Sequence, residues 1–85
     1  MKEFKYTIKD ELGIHARPAG LLIKEAKKYE SVVTIATAEK SAVAKGIMGV
    51  MALGVEQGNE VTVTAEGPDE DTAIAGLLAF FEANL

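Results

Sequence analysis

The sequence has no cysteine, no tryptophan and only one histidine among its 85 residues. The lack of cysteine excludes a disulfide framework and a thiol nucleophile, and one histidine cannot form a Cys/His zinc cluster. The longest largely apolar run, residues 47–55, is far shorter than the roughly 20 residues that a membrane-spanning helix needs. A hydrophobic content of 48% is typical of globular proteins. We therefore expect a single domain over residues 1–85, without membrane insertion, a metal or a cofactor.

Basic residues are missing from the second half of the chain. All nine lie within the first 45 residues, together with six acidic residues, whereas the last 40 residues hold seven acidic residues and no base. The net charge of −4 therefore combines a basic first half with an acidic second half. We expect no general binding of nucleic acid, but a basic surface can steer an acidic or phosphorylated protein partner. No apolar signal segment follows Met1, so a cytoplasmic location is expected.

The spacing of apolar residues predicts four strands and three helices. Strands are predicted around residues 4–8, over 32–37 and 41–44, and around 61–65, because apolar residues alternate or β-branched residues cluster there. Helical spacing predicts helices over 16–29 and 46–53 and a last helix that Pro68-Asp69 would cap. The predicted core stripe of the last helix is Ile74, Leu77, Leu78, Phe81 and Leu85. This order favours an α+β, open-faced two-layer sandwich with helices on one face of a mainly antiparallel sheet.

The single histidine stands where the first helix is predicted to begin. His15 precedes the periodic segment, and Pro18 lies in the first turn, where a missing N–H costs no helical hydrogen bond. Free N–H groups and the positive end of the helix dipole favour an anion at this position, and Arg17 adds a donor suited to phosphate oxygens. The same potential favours a neutral, nucleophilic imidazole. A lone histidine at a helix start is more often a capping or surface residue, but this combination indicates a phosphoryl acceptor.

This region resembles the active-site signature of the HPr family, the histidine-containing phosphocarrier proteins of the bacterial phosphotransferase system, with the sequence GIHARPA at residues 13–19. The resemblance covers the whole chain and includes residues 47–51 and 53–58. It implies a four-stranded antiparallel sheet with three helices on one face. It also implies a phosphoryl carrier, not a free-standing enzyme, that is charged by phosphorylated Enzyme I and discharged to sugar-specific IIA domains.

The resemblance also implies roles for particular residues. His15 would be the phosphoacceptor through Nδ1, and Arg17 would contact the phosphoryl group together with the backbone N–H groups of Ala16 and Arg17. Pro18 would contribute to the geometry of the first turn. Partners would dock on an apolar surface ringed by charge. The candidate docking residues are Leu21, Lys24, Lys27, Lys45, Ile47, Met48, Met51 and Ala52. The alternative is that about half of the short helix belongs to the core.

The sequence departs from the family at Gly46. Many HPr proteins carry a serine there, which a regulatory kinase phosphorylates, so we do not expect an HPr serine kinase to be a partner.

A paralogous carrier of a nitrogen-related or regulatory phosphorelay is an alternative, since its chemistry would be the same. A KH-like nucleic-acid-binding module is a more distant alternative, because residues 46–49 match its Gly-x-x-Gly pattern. The acidic second half disfavours that interpretation.

Overall fold

The chain, described over residues 1–85 by a computed structural model, contains four strands and three helices. In order they are β1 (Lys2–Thr7), α1 (Ala16–Ala26), β2 (Val32–Ala36), β3 (Ser41–Val43), α2 (Ile47–Met51), β4 (Glu60–Glu66) and α3 (Glu70–Asn84). The strands form one sheet in the order β1-β4-β2-β3, and every adjacent pair is antiparallel. The predicted α+β architecture, a four-stranded antiparallel sheet with three helices, is therefore confirmed.

Alternate residues of the central strands form the floor of the core. Val61, Val63 and Ala65 of β4 are fully buried, and Ile35 of β2 lies beside them. Phe81 of α3 is also fully buried. The rings of β1 residues Phe4 and Tyr6 contact it edge-on, with centroids 5.6 and 5.5 Å from that of Phe81. The helices therefore cover one face of the sheet, while threonines and valines of the intervening positions lie on the other face: Val32, Thr34, Val43, Thr62 and Thr64.

The first two helices end earlier in the structure than predicted, and strands β2 and β3 each end one residue earlier. The first helix ends at Ala26 instead of residue 29, because the N–H groups of Lys28 and Tyr29 bond to carbonyls three residues earlier, which tightens the chain into a turn. The second helix covers only Ile47–Met51, and Gly54, with φ +65°, follows it in the left-handed conformation. Ile8 lies just beyond β1, inside the range predicted for this strand, and is buried.

The predicted core stripe of α3 is partly wrong. Leu77, Phe81 and Leu85 are buried, but Ile74 and Leu78 are only half-buried, and Ala73 is fully buried in their place. Residues four apart stay on one side of a helix, whereas the next residue along the chain is rotated by about 100°. Ala73 lies in the same row as Leu77 and Phe81, which faces the core. Ile74 and Leu78 are each one position further along the chain and therefore lie beside this row.

Asp69 occupies the capping position of α3 but does not make the predicted cap. Its side chain makes no hydrogen bond to the first turn of α3. One carboxylate oxygen instead accepts the N–H of Glu30 at 2.9 Å, and the other accepts the N–H of Ser31 at 2.9 Å and the Ser31 hydroxyl. Asp69 thereby joins the start of α3 to the loop between α1 and β2.

This arrangement predicts an acid-sensitive contribution to stability. The hydrogen bond from the Ser31 hydroxyl, followed by that from the N–H of Glu30, holds the pKa of Asp69 below its ordinary value. Because the pKa is lower in the folded state, the contribution is present above the unfolded-state pKa and is lost as pH falls through the folded-state pKa. Asp69→Asn should lower the free energy of unfolding at neutral pH and flatten its decline in acid. Denaturant titrations at several pH values measure this.

Asp71→Asn is the matched control, because Asp71 lies in the same helical turn with an exposed side chain. The free energy of unfolding of this variant should decline in acid as steeply as that of the parent protein. An unchanged acid decline in Asp69→Asn would contradict the assignment.

A close contact between two loops fixes where α1 begins. Gly13 has φ +67°, and a Cβ on this residue would collide with the carbonyl oxygen of Val55, in the segment between α2 and β4. The next residue, Ile14, donates its N–H to the same oxygen at 3.2 Å. Both the backbone conformation and the space therefore require glycine at position 13.

Gly13→Ala should destabilise the protein more than Gly54→Ala. Both alanines would have to adopt a left-handed φ, which costs about 1–2 kcal/mol. Only Gly13→Ala adds a collision, because a Cβ on Gly54 would have no heavy atom within 4 Å. Denaturant-unfolding free energies of the two variants measure the difference, and equal losses would show that the approach to Val55 imposes no constraint.

Candidate functional site

His15 is the last residue before α1 and lies at the open end of that helix. Its backbone is extended, with φ −99° and ψ −175°, and its side chain makes no capping hydrogen bond. The first backbone bond of the helix runs from the N–H of Ala19 to the His15 carbonyl at 3.0 Å. The N–H groups of Ala16 and Arg17 find no acceptor within the chain, as the geometry of a helix start dictates. Two unpaired donors therefore lie directly after the histidine.

The imidazole lies in a shallow cavity and is neither buried nor fully free. The side chain of His15 is 36% exposed. The cavity has a volume of about 90 Å³, and it is lined by Asp10, His15, Arg17, Pro18, Leu21 and Asn84. Arg17 is exposed and has no ion-pair partner within the chain, while Pro18 is buried in the first turn. The structure thus brings His15, Arg17 and Pro18 together, as the sequence predicts.

Two residues that line this cavity were not predicted from the sequence. Asn84 comes from the last turn of α3, and its side-chain amide donates to the Phe80 carbonyl at 3.0 Å. No sequence pattern connects that helix end to the first loop. Asp10 lies five residues before His15, and its Oδ1 accepts the N–H of Leu12 at 2.8 Å. An aspartate two residues before such a donor is typical of an Asx turn, and that signal could have identified it.

An apolar patch lies beside the histidine helix. We define it as Leu21 of α1 with Ile47, Met48 and Met51 of α2; Met48 is the most exposed of the four, at 81%. Only Val50 of α2 is buried, so most of this helix faces outward. Ala52, directly after the helix, is exposed too. The two helices meet where Gly20 faces Ile47, since a Cβ on Gly20 would lie 3.6 Å from Ile47 Cδ1. The predicted docking residues are therefore on the surface.

The three lysines predicted to lie near this patch have free charges. Lys24, Lys27 and Lys45 are exposed and make no salt bridge within the chain. Lys28 instead pairs with Glu25 at 3.0 Å. That ammonium, with a smaller contribution from the Tyr29 hydroxyl, lowers the pKa of the Glu25 carboxyl. Lys28, just beyond the end of α1, is partly neutralised by Glu25, whereas the other three lysines can attract an acidic surface.

The arrangement as a whole suits the capture of a phosphoryl group. A neutral imidazole has a nucleophilic nitrogen, and unpaired N–H groups with a guanidinium offer donors for phosphoryl oxygens.

No cluster of three or more His, Cys, Asp or Glu side chains is positioned to hold a metal ion. None of the helices combines the length and apolar character needed to cross a membrane. Residues 46–49 form the N-cap and first turn of α2, not the loop of a KH domain.

Comparison with known proteins agrees with this geometry. A family model described as the PTS HPr component phosphorylation site matches residues 2–83. The phosphocarrier protein HPr of Mycoplasma capricolum is 46% identical over 91% of this chain and 86% of its own. That of Lysinibacillus sphaericus is 46% identical over 91% of this chain and 88% of its own.

A solved structure of HPr-C-His from Thermoanaerobacter tengcongensis superimposes with a TM-score of 0.91 at 46% identity, and the match covers 98% of this chain and 93% of that one. The family match extends over nearly the whole chain and includes the segment around His15. The chain therefore belongs to the HPr family of phosphocarrier proteins of the phosphotransferase system.

Proposed function

We propose that this protein carries a phosphoryl group on Nδ1 of His15, receives it from phosphorylated Enzyme I and passes it to sugar-specific IIA domains. The observation that carries this proposal is the partly exposed imidazole directly before α1, next to the unpaired N–H groups of Ala16 and Arg17. The chain would act as a carrier between two proteins in the cytoplasm. Its own imidazole would react, and its own side chains and backbone would supply the hydrogen-bond donors.

The transfer would proceed by in-line substitution at phosphorus. The lone pair of Nδ1 attacks the phosphorus of the donor while the bond between that phosphorus and the donor's nitrogen breaks. The three equatorial oxygens carry negative charge throughout, so positioned donors stabilise the transition state. The Arg17 guanidinium and the two N–H groups would supply those donors. Onward transfer is the same step in reverse, with the acceptor's nucleophile attacking the phosphorus on His15.

Partners would dock on the apolar patch, with Arg17, Lys24, Lys27 and Lys45 as cations around it. A long methionine side chain adapts to different apolar surfaces, which suits a protein that must fit a donor and several acceptors. Unpaired cations would speed the encounter with acidic partner surfaces more than they would tighten the complex. Testing which IIA domains accept the phosphoryl group would distinguish sugar uptake from a nitrogen-related or regulatory relay.

Gly46 makes control by an HPr serine kinase an unsuitable role for this chain. The residue is the N-cap of α2 and offers no hydroxyl, and a Cβ there would meet no heavy atom within 4 Å. Lack of space therefore does not explain why this position is glycine. Such a kinase should transfer no phosphoryl group to the protein, and a stable seryl phosphate anywhere in the chain would contradict this expectation.

Phosphoenolpyruvate and Enzyme I should place one acid-labile phosphoryl group on the protein, and His15→Ala should abolish the labelling. Arg17→Ala should slow transfer by about ten- to a hundredfold, because a hydrogen bond to a charged group contributes about 1.5–3 kcal/mol. Rapid-quench measurement of the transfer rate from phosphorylated Enzyme I tests both expectations.

Lys28→Ala is the control for Arg17→Ala, because Lys28 is another cation, two residues beyond the end of α1, but is paired with Glu25. It should transfer phosphoryl groups at nearly the parent rate. Undiminished labelling of His15→Ala would overturn the assignment of the acceptor, and equal rates for the Arg17 and Lys28 variants would remove Arg17 from the transfer step.

A further inference from the structure

We propose that Asp10 is a positioning residue for His15, whose carboxylate holds the imidazole proton on Nε2 and so leaves the lone pair on Nδ1. This inference rests on the proposed function, in which Nδ1 is the nucleophile. The observation that carries it is the distance of 3.8 Å between Asp10 Oδ1 and His15 Nε2, across the cavity at the start of α1.

The Asp10 carboxylate is held in place by its own loop. Its Oδ1, the oxygen that faces the imidazole, accepts the N–H of Leu12 at 2.8 Å. The backbone of Asp10 is fixed as well, because its N–H donates to the Leu85 oxygen at 2.9 Å and its carbonyl accepts the N–H of Gly13 at 3.0 Å. The side chain of Asp10 is 29% exposed. The negative charge near Nε2 is therefore a fixed part of the site and does not depend on a mobile surface side chain.

A fixed carboxylate beside one ring nitrogen selects between the two neutral forms of imidazole. In each form one nitrogen carries the proton and the other carries the lone pair. The N–H dipole is attracted to a carboxylate, while a lone pair directed at it is repelled. Asp10 thus favours Nε2–H, and Nδ1 is left free to attack phosphorus.

The same charge has a second effect after transfer. When Nδ1 bonds to phosphorus, the bond from phosphorus to the donor's nitrogen breaks, and the ring keeps its proton on Nε2. Both ring nitrogens are then substituted, so the ring is cationic while the phosphoryl oxygens are anionic. The carboxylate of Asp10 stabilises that ring charge from the Nε2 side. The unpaired N–H groups of Ala16 and Arg17 are available to the oxygens.

Asp10 also supports its own loop, so the variants must separate charge from structure. Asp10→Asn keeps a side-chain oxygen that can accept the N–H of Leu12 but removes the charge. Glu11→Gln is the matched control, because it removes the same charge from the neighbouring, exposed residue.

The test is the ¹⁵N NMR spectrum of the imidazole in unphosphorylated protein, recorded at alkaline pH, where the shifts of the two nitrogens report the tautomer ratio. Asp10→Asn should lower the ratio of Nε2–H to Nδ1–H by about two- to fivefold, the range expected for a partly exposed charge interaction. Its transfer rate at saturating phosphorylated Enzyme I should fall by a smaller factor, because the fraction of Nε2–H changes less than the ratio of the two forms, with KM for Enzyme I unchanged. Glu11→Gln should change neither quantity.

An unchanged tautomer ratio in Asp10→Asn would overturn the inference, and so would an equal change in Glu11→Gln. Because the spectra are recorded without Enzyme I, they report on Asp10 even if the protein proved not to accept a phosphoryl group. Loss of labelling in the unmodified chain would instead contradict the proposed function and leave the tautomer result intact.

Discussion

The approach of Gly13 to the Val55 carbonyl is the constraint on which the rest of the site depends. It fixes the backbone conformation of the segment that leads into α1, and the N–H of Ile14 donates a hydrogen bond to the same oxygen. The oxygen belongs to the segment that follows α2, so one contact fixes the histidine loop relative to the helix that carries most of the apolar patch. The proposed reacting group and the proposed docking surface are held together by backbone atoms, which tolerate surface substitutions better than a side-chain contact would.

His15 lies between two electrostatic influences that oppose one another. The open end of α1 presents positive potential and two unpaired N–H groups, whereas the Asp10 carboxylate presents negative charge 3.8 Å from Nε2. In the proposed reaction the two act on different parts of the site: the helix end on the phosphoryl oxygens, and the carboxylate on the Nε2 side of the ring. A carrier must release its phosphoryl group as readily as it accepts it. The phosphoryl group is held only between two transfers, and separate stabilisation of its oxygens and of the ring suits such a group.

The sequence predicted what depends on neighbours along the chain and missed what depends on contacts across it. The order of elements and the position of His15 before α1 follow from periodicity over a few residues, whereas the outward face of α2 was expected from the family resemblance. Asp69 has the residue type of a helix cap, but its carboxylate bonds to a loop nearly 40 positions earlier, which no local rule anticipates. Asn84 reaches the site from the opposite end of the chain. Asp10 has a local turn signal, but its relation to the imidazole appears only in three dimensions.

The most direct measurement is NMR of the ¹⁵N-labelled protein after it has been charged from phosphoenolpyruvate through Enzyme I. If His15 and the start of α1 act as one site, a phosphorus–nitrogen coupling should appear at Nδ1, and the amide protons of Ala16 and Arg17 should move downfield more than any others. A coupling at Nε2, a phosphoryl group on another residue, or unmoved amides at the start of α1 would contradict this interpretation.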